Sequence, residues 1–169
     1  LNLIKKSNTF INVLDALLKK LVNDRNILLM AERIKLIDYI YSLSSTDDKA
    51  KFYREEKLDK LNAKLTLATP KKARDGIDAP WKDCLIMTSP ISNIEQVAGR
   101  IVRTFKNKKD PLVIDMVDYG CKRISTTFLS RLKYYNLKKW KLRYLLCKNG
   151  TISEIGQNEA IGIIKGEEK

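Results

Sequence analysis

Cys84-Leu85-Ile86-Met87 leads through Thr88-Ser89-Pro90-Ile91-Ser92 into Asn93-Ile94-Glu95-Gln96-Val97-Ala98-Gly99-Arg100-Ile101-Val102-Arg103. The first four residues are a short continuous apolar run, the pattern of a strand buried on both faces. The last eleven predict a helix over 93–103. Ile94, Val97 and Ile101, with Val102 beside them, recur at helical spacing and supply its buried side. Gln96, Arg100 and Arg103 stand four and three residues apart, so one further face of the same helix carries all three. Gly99 sits inside that helix, where glycine costs about 1 kcal/mol relative to alanine. A close approach by another backbone or a ligand would account for it.

The same strand-then-helix grammar extends in both directions. Residues 8–22 read as an amphipathic helix, with Phe10, Val13, Leu14, Leu17, Leu18 and Leu21 on one stripe. Apolar strands are expected at 27–30, 64–68, 84–87 and 112–117. Helices are expected at 32–42, at a highly charged 49–62, and at a long basic 123–139. Beyond Trp140 the signals weaken to strand candidates at 142–146 and 151–155 and a Gly- and Glu-containing tail expected to be mobile. Short apolar strands alternating with helices indicate an α/β fold, a parallel sheet covered by helices on both faces, with a C-terminal basic helical extension. The expected division is a lobe at 1–120 and the extension at 121–169. In such sheets chemistry gathers at the carboxyl ends of the strands, which directs attention to the loops after Met30, Ala68, Met87 and Val117.

Composition narrows the chemistry. The 169 residues carry 33 Lys and Arg against 20 Asp and Glu, a net charge of +13 that favours a polyanionic partner. Histidine is absent, which removes Ser-His and Cys-His nucleophile pairs, histidine bases and histidine metal sites. Cys84, Cys121 and Cys147 fit neither a disulfide framework nor a zinc spacing, so a reducing, intracellular setting is expected. No apolar run is long enough to span a bilayer, and no membrane role is expected.

Two of the inspected loops carry motifs. Ala68-Thr69-Pro70-Lys71-Lys72-Ala73-Arg74-Asp75-Gly76-Ile77-Asp78-Ala79-Pro80 fits A-T-x(6)-G-[IL]-D-x-P, and Gln96 to Arg103 fits Q-x-x-G-R-x-x-R, with one short strand between. These stretches resemble motifs V and VI of superfamily 2 helicases and translocases, and 25–34 resembles the strand-to-helix motif IV. The basic turn 104–111 and the following Val113-x-Asp115-x-x-Asp118 are similar to repair and replication helicases of phages and large DNA viruses. The resemblance implies the C-terminal RecA-like lobe of an ATP-dependent helicase or translocase, with DNA a better expectation than RNA. It implies that Gln96, Arg100 and Arg103 face ATP bound to an N-terminal lobe, with Arg100 or Arg103 as the finger. Gly76 and Asp78 would line the ribose side of the nucleotide. Ala68 (by its backbone) and Thr69 would meet a nucleic-acid phosphate, with Lys71, Lys72 and Arg74 adding positive charge nearby. Arginine suits the finger role through its planar fork and permanent charge, which stabilise a transferring phosphoryl group.

From Cys121 to Lys148 there are nine Lys and Arg (Lys122, Arg123, Arg131, Lys133, Lys138, Lys139, Lys141, Arg143 and Lys148) and no acidic residue. Aromatic residues interleave them, a combination that suits phosphates and unpaired bases. Phe128 and Leu132 are expected in the core, while Tyr134 and Trp140 stand open between core and binding. A GxxxxGK[ST] loop and an acidic magnesium-binding segment are both missing. ATP and Mg2+ would therefore be held mainly by another lobe, the chain alone would be inactive, and its start at Leu1 fits an excised C-terminal lobe. A non-catalytic nucleic-acid-binding module of the same fold, or the lobe of a duplex translocase, remain alternatives.

Overall fold

The computed structural model describes residues 8–76, 78–91 and 93–167. Helix α1 (Asn8–Leu21) precedes strand β1 (Ile27–Met30), α2 (Ile34–Leu43) and β2 (Lys49–Phe52). A 3-10 turn at Leu58–Asn62 leads into β3 (Leu65–Ala68), α3 (Pro70–Gly76), β4 (Cys84–Met87), α4 (Glu95–Ile101) and β5 (Leu112–Asp115). The C-terminal part holds α5 (Lys122–Leu137), β6 (Tyr144–Lys148), β7 (Thr151–Ile155) and α6 (Gln157–Lys165).

Strands β1 to β5 form one parallel sheet in the order β2-β3-β1-β4-β5. Side chains alternate across a strand, so each face of this sheet builds its own core. Ile27, Leu29, Leu65, Leu67, Cys84 and Ile86 pack with α1 and α2 through Leu14, Leu18, Leu36, Ile37 and Ile40. Leu28, Met30, Ala68, Leu85 and Met87 face the other way, onto α4 and α5 through Val97, Ala98, Ile101, Phe128 and Leu132. Burial on both faces is why the central strands read as unbroken apolar runs. The sheet is the expected RecA-like α/β arrangement.

Several expectations are corrected. The charged helix expected over 49–62 is instead edge strand β2 and a 3-10 turn. Ala50 and Phe52 alternate inward with a period of two, while Lys49 and Lys51 stay half-buried. Arg54, at φ 57°, then bends the chain out of extended geometry. Lys51 pairs with Asp38 of α2 at 2.5 Å, and the Tyr53 hydroxyl donates to the same carboxylate at 3.0 Å. Those hydrogen bonds, Lys51's first, hold the Asp38 carboxyl below its ordinary range. Leu112–Asp115 is half-buried rather than fully buried, because β5 is the other edge of the sheet.

Regular structure continues through most of the C-terminal tail, whose last two residues, 168–169, lie outside the described residues. β6 and β7 form an antiparallel hairpin, turned by Asn149 and Gly150 with φ of 53° and 79°. Two positive φ values are what a tight hairpin turn of matching twist requires, and Asn-Gly supplies them at low cost. Helix α6 buries Ala160, and Ile161 and Ile164 pack against the core that holds Phe128 and Leu132. It stops at Gly166, whose φ of 74° gives a left-handed C-terminal cap.

Candidate functional site

The helix after β1 lies on one face of the sheet and the helices after β3 and β4 lie on the other, so the chain changes face around β1. In open α/β sheets a ligand crevice forms at such a reversal, outside the carboxyl ends of the strands. Two hydrogen bonds tie the loops together there. The Glu32 amide donates to the Ser89 hydroxyl at 2.9 Å, and the Thr88 hydroxyl donates to the Met30 carbonyl at 2.9 Å. Ser89 and Thr88 were not among the residues expected to matter; a polar pair directly after an apolar strand was their only signal.

The segment after β3, expected to be a loop, is largely the short helix α3. Pro70 sits at its first position, where a missing N–H costs nothing. Thr69 caps it, with its carbonyl accepting from Ala73 at 2.9 Å and its hydroxyl from the Lys72 amide at 3.4 Å. Ala68 is wholly buried, and its carbonyl accepts from the Ala31 amide. Thr69, half-buried, is thus the member of that pair that reaches the surface. Lys71 and Arg74 are exposed, and the Lys72 ammonium lies 5.1 Å above the Phe52 ring.

Helix α4 is shorter than expected, and Arg103 lies just beyond it. Val102 forms its C-cap and is exposed, not buried as the sequence pattern suggested. The Arg103 amide bonds to the Arg100 carbonyl at 3.3 Å, a tightened last turn that still carries Arg103 along the same side. Val97, Ala98 and Ile101 anchor the helix, and Ile94 is buried beside its start. Arg100 donates from Nη1 to the Ala73 carbonyl of α3 at 3.1 Å. Arg103 Nη1 lies 3.8 Å from Asp78 Oδ1, with both side chains largely exposed, 61% and 85%. The two motif segments are therefore neighbours. Gln96 is exposed on the same helix, and Gly76 closes α3 two residues before Asp78. A Cβ built on Gly99 would meet nothing within 4 Å among the described residues, so the close approach expected at that glycine does not come from any of them.

Arg131 departs from its expected place in the basic surface. It is 1% exposed. Its Nε and Nη2 each donate at 2.7 Å to the two oxygens of Asp115, and Nη1 donates to the Ile91 carbonyl at 2.6 Å. The Tyr135 hydroxyl donates to Asp115 at 2.9 Å. Burial, with Asp115 beside it, drives the Tyr135 hydroxyl pKa far upward. This network fastens α5 to the end of β5 and to the segment that enters α4. Tyr134 and Trp140, left open between roles, both pack against the core beside Tyr135.

Cys84, Cys121 and Cys147 are free thiols, and burial pushes Cys84 up to about 12, which leaves it protonated and inert. Among the described residues no group of three or more Cys, Asp or Glu side chains could hold a metal ion. No described helix is long and apolar enough to cross a membrane.

No protein-family model matches the chain. A protein of Acanthamoeba polyphaga mimivirus named as an ATP-dependent RNA helicase is 30% identical over 150 residues, covering 83% of this chain and 28% of that protein. A protein of Escherichia phage T5 named as a helicase is 37% identical over 70 residues, 40% of this chain and 15% of its own length. The chain thus spans little more than a quarter of the first relative. Among solved structures, the C-terminal part of the Fun30 ATPase domain shares the fold, with a TM-score of 0.53 at 15% identity over 92% of this chain and 51% of its own. With the two motif segments adjacent at one end of a RecA-like sheet, the chain is similar in sequence to proteins named as helicases in a giant virus and a phage, and in fold to the C-terminal part of an ATPase domain.

Proposed function

We propose that this lobe serves an ATP-dependent nucleic-acid helicase or translocase by presenting Arg100 and Arg103 to a nucleotide held on an N-terminal RecA-like lobe. The observation that carries the reading is the junction of α3 and α4. Arg100 is braced against the Ala73 carbonyl, and Arg103 rests loosely beside Asp78. A guanidinium with most of its donors free, exposed just past the end of an anchored helix, suits a phosphate delivered from outside the chain. The open space at Gly99 fits the same approach.

ATP and Mg2+ are the cofactors of this reading. Gln96, Arg100 and Arg103 would meet the phosphates, with Asp78 and Gly76 toward the ribose. The metal falls to the other lobe, since the described residues here offer no acidic cluster for it. Bound nucleotide supplies the free energy of phosphoryl transfer; these arginines contribute charge stabilisation in the transition state. Thr69, Lys71, Lys72 and Arg74, with Arg33 and Lys35 at the start of α2, would form one side of the nucleic-acid track.

The test is Arg100→Ala and Arg103→Ala in the full-length protein, with ATP turnover and nucleotide binding measured separately. Turnover should collapse while binding persists. Unchanged turnover in both variants would refute the reading. Competition between matched DNA and RNA strands, with the net charge of +13 making salt dependence steep, assigns the strand type.

A further inference from the structure

The C-terminal part of the chain holds a second cleft, lined by none of the residues of the α3–α4 junction. It lies where the end of α5, the β6–β7 hairpin and the start of α6 meet, and it encloses about 350 Å³. Trp140 forms part of its wall, stacked on Tyr135 with ring centroids 5.3 Å apart and met edge-on by Tyr134 at 5.7 Å. The indole is thereby fixed in place before any ligand arrives. Asn136 and Gln157 also line the cleft at exposed positions, and their carboxamides have no hydrogen-bond partner among the described residues. Each offers both a donor and an acceptor. The hydroxyl of Tyr144, another lining residue, is shielded from solvent and has no partner among the described residues, a state that costs free energy. Arg143 and Glu154, also in the lining, neutralise one another through a two-pronged ion pair at 3.1 and 2.7 Å.

Around this uncharged interior the surface is cationic. Lys138, Lys139 and Lys141 are exposed, and 121–148 contains no acidic residue. A rigid aromatic wall, free amide groups and a lysine rim divide the site into a part for a planar heterocycle and a part for phosphate. The volume lies at the lower end of ligand clefts, enough for one nucleoside-sized group. We propose that this cleft takes a single unpaired base of a nucleic-acid strand whose backbone runs along Lys138, Lys139 and Lys141. The proposal rests on the nucleic-acid reading above and adds a strand contact outside the motif-bearing end of the sheet.

The experiment uses the 169-residue chain and fluorescence anisotropy with labelled single strands of roughly 12 nucleotides, within the span that one single-strand-binding fold covers. One strand is oligothymidine, and its match is an abasic sugar-phosphate strand. The unaltered chain should bind oligothymidine roughly fivefold or more tighter than the abasic strand, the scale of one base stacked and bonded. Asn136→Ala combined with Gln157→Ala, both at exposed positions, should erase most of that preference and leave the salt dependence alone. Lys139→Gln combined with Lys141→Gln should lower the salt slope by about 1.4, two phosphate contacts on a single strand, and keep the base preference. Equal binding of the two strands by the unaltered chain, or a preference that survives N136A/Q157A, overturns the cleft while turnover in the Arg100 and Arg103 variants still judges the finger. Complete failure to bind any strand overturns the cleft and the nucleic-acid part of the proposed function together. Thymidine monophosphate serves as the free-nucleotide arm, and binding as tight as the strand's would reassign the site to a free nucleotide.

Discussion

Arg131 and Arg103 are the same residue type in opposite circumstances. Arg131 is almost fully buried, with both carboxylate oxygens of Asp115 and a backbone carbonyl at hydrogen-bond distance. Arg103 keeps 61% of its side chain in solvent, and the one acidic neighbour among the described residues, Asp78, is 3.8 Å away and more exposed still. The first has spent its donors on the fold. The second holds its donors in reserve, and an exposed pair of that length contributes little to stability. Motif position alone would rank both as basic residues of a basic lobe. Burial and satisfaction of donors separate the residue that shapes the lobe from the one available to a ligand.

The largest expected effect tests the available side of this contrast. Loss of an arginine finger lowers phosphoryl transfer by about 10³- to 10⁵-fold, so R100A or R103A should abolish turnover without lowering the denaturation midpoint of the lobe by more than a surface substitution does. The mirror-image expectation applies to Arg131. Arg131→Ala strands the Asp115 carboxylate and should cost about 3–5 kcal/mol of unfolding free energy, read from denaturant titration of the isolated chain. Pairing it with Asp115→Ala should recover part of that loss. If R131A unfolds no more easily than R103A, the contrast between the two arginines is void.

Part of this contrast was legible in the sequence. The central strands announced themselves because both of their faces are buried, and the two motifs drew attention to Gln96, Arg100 and Arg103 before any geometry. Arg131 was misplaced among the solvent-facing cations because its partner, Asp115, is on another element, and local pattern carries no record of long-range pairing. The charge of 49–62 suggested a helix; only the alternation of Ala50 and Phe52 against β3 explains a strand there. The tail was undervalued for a different reason. Asn149-Gly150 was a readable hairpin signal between two strand candidates, but the packing of α6 depends on Ala160 meeting elements distant in the chain.

Lys82 sharpens the comparison from a third position, a buried cation with no carboxylate in its grip. It is 0% exposed, and its ammonium donates to the carbonyls of Ile27, Ala63 and Lys64. Burial pushes its pKa down from 10.5 to about 7, against a smaller upward pull from Asp48 and Asp83. The native state therefore releases a proton above about pH 7 that the unfolded chain retains until the ordinary lysine range. The unfolded state binds more protons across that window, so this group's contribution to stability rises with pH there. Lys82→Met should cost about 1–3 kcal/mol through lost hydrogen bonds, and the cost should be larger near pH 9 than near pH 6. Unfolding titrations of both proteins at the two pH values check the sign, and a cost that shrinks as pH rises would contradict the account.

Gly99 gives the smallest effect and the one that best isolates the proposed site. Among the described residues nothing comes within 4 Å of a Cβ placed there, and its φ is not in the positive range that would demand glycine. Alanine in its place should therefore stabilise the isolated lobe by up to about 1 kcal/mol, through helix propensity alone. A residue that weakens its own helix with no described neighbour to justify it fits the proposed approach from outside, between Gln96 and Arg100. In the full-length protein the added methyl group would then stand where the partner lobe and its nucleotide approach. The combination to look for is a higher melting temperature for the G99A lobe and lower ATP turnover for the G99A enzyme. A variant that gains stability and keeps full turnover would mean that nothing approaches this helix face closely, and the reserve of free donors on Arg103 would need another purpose.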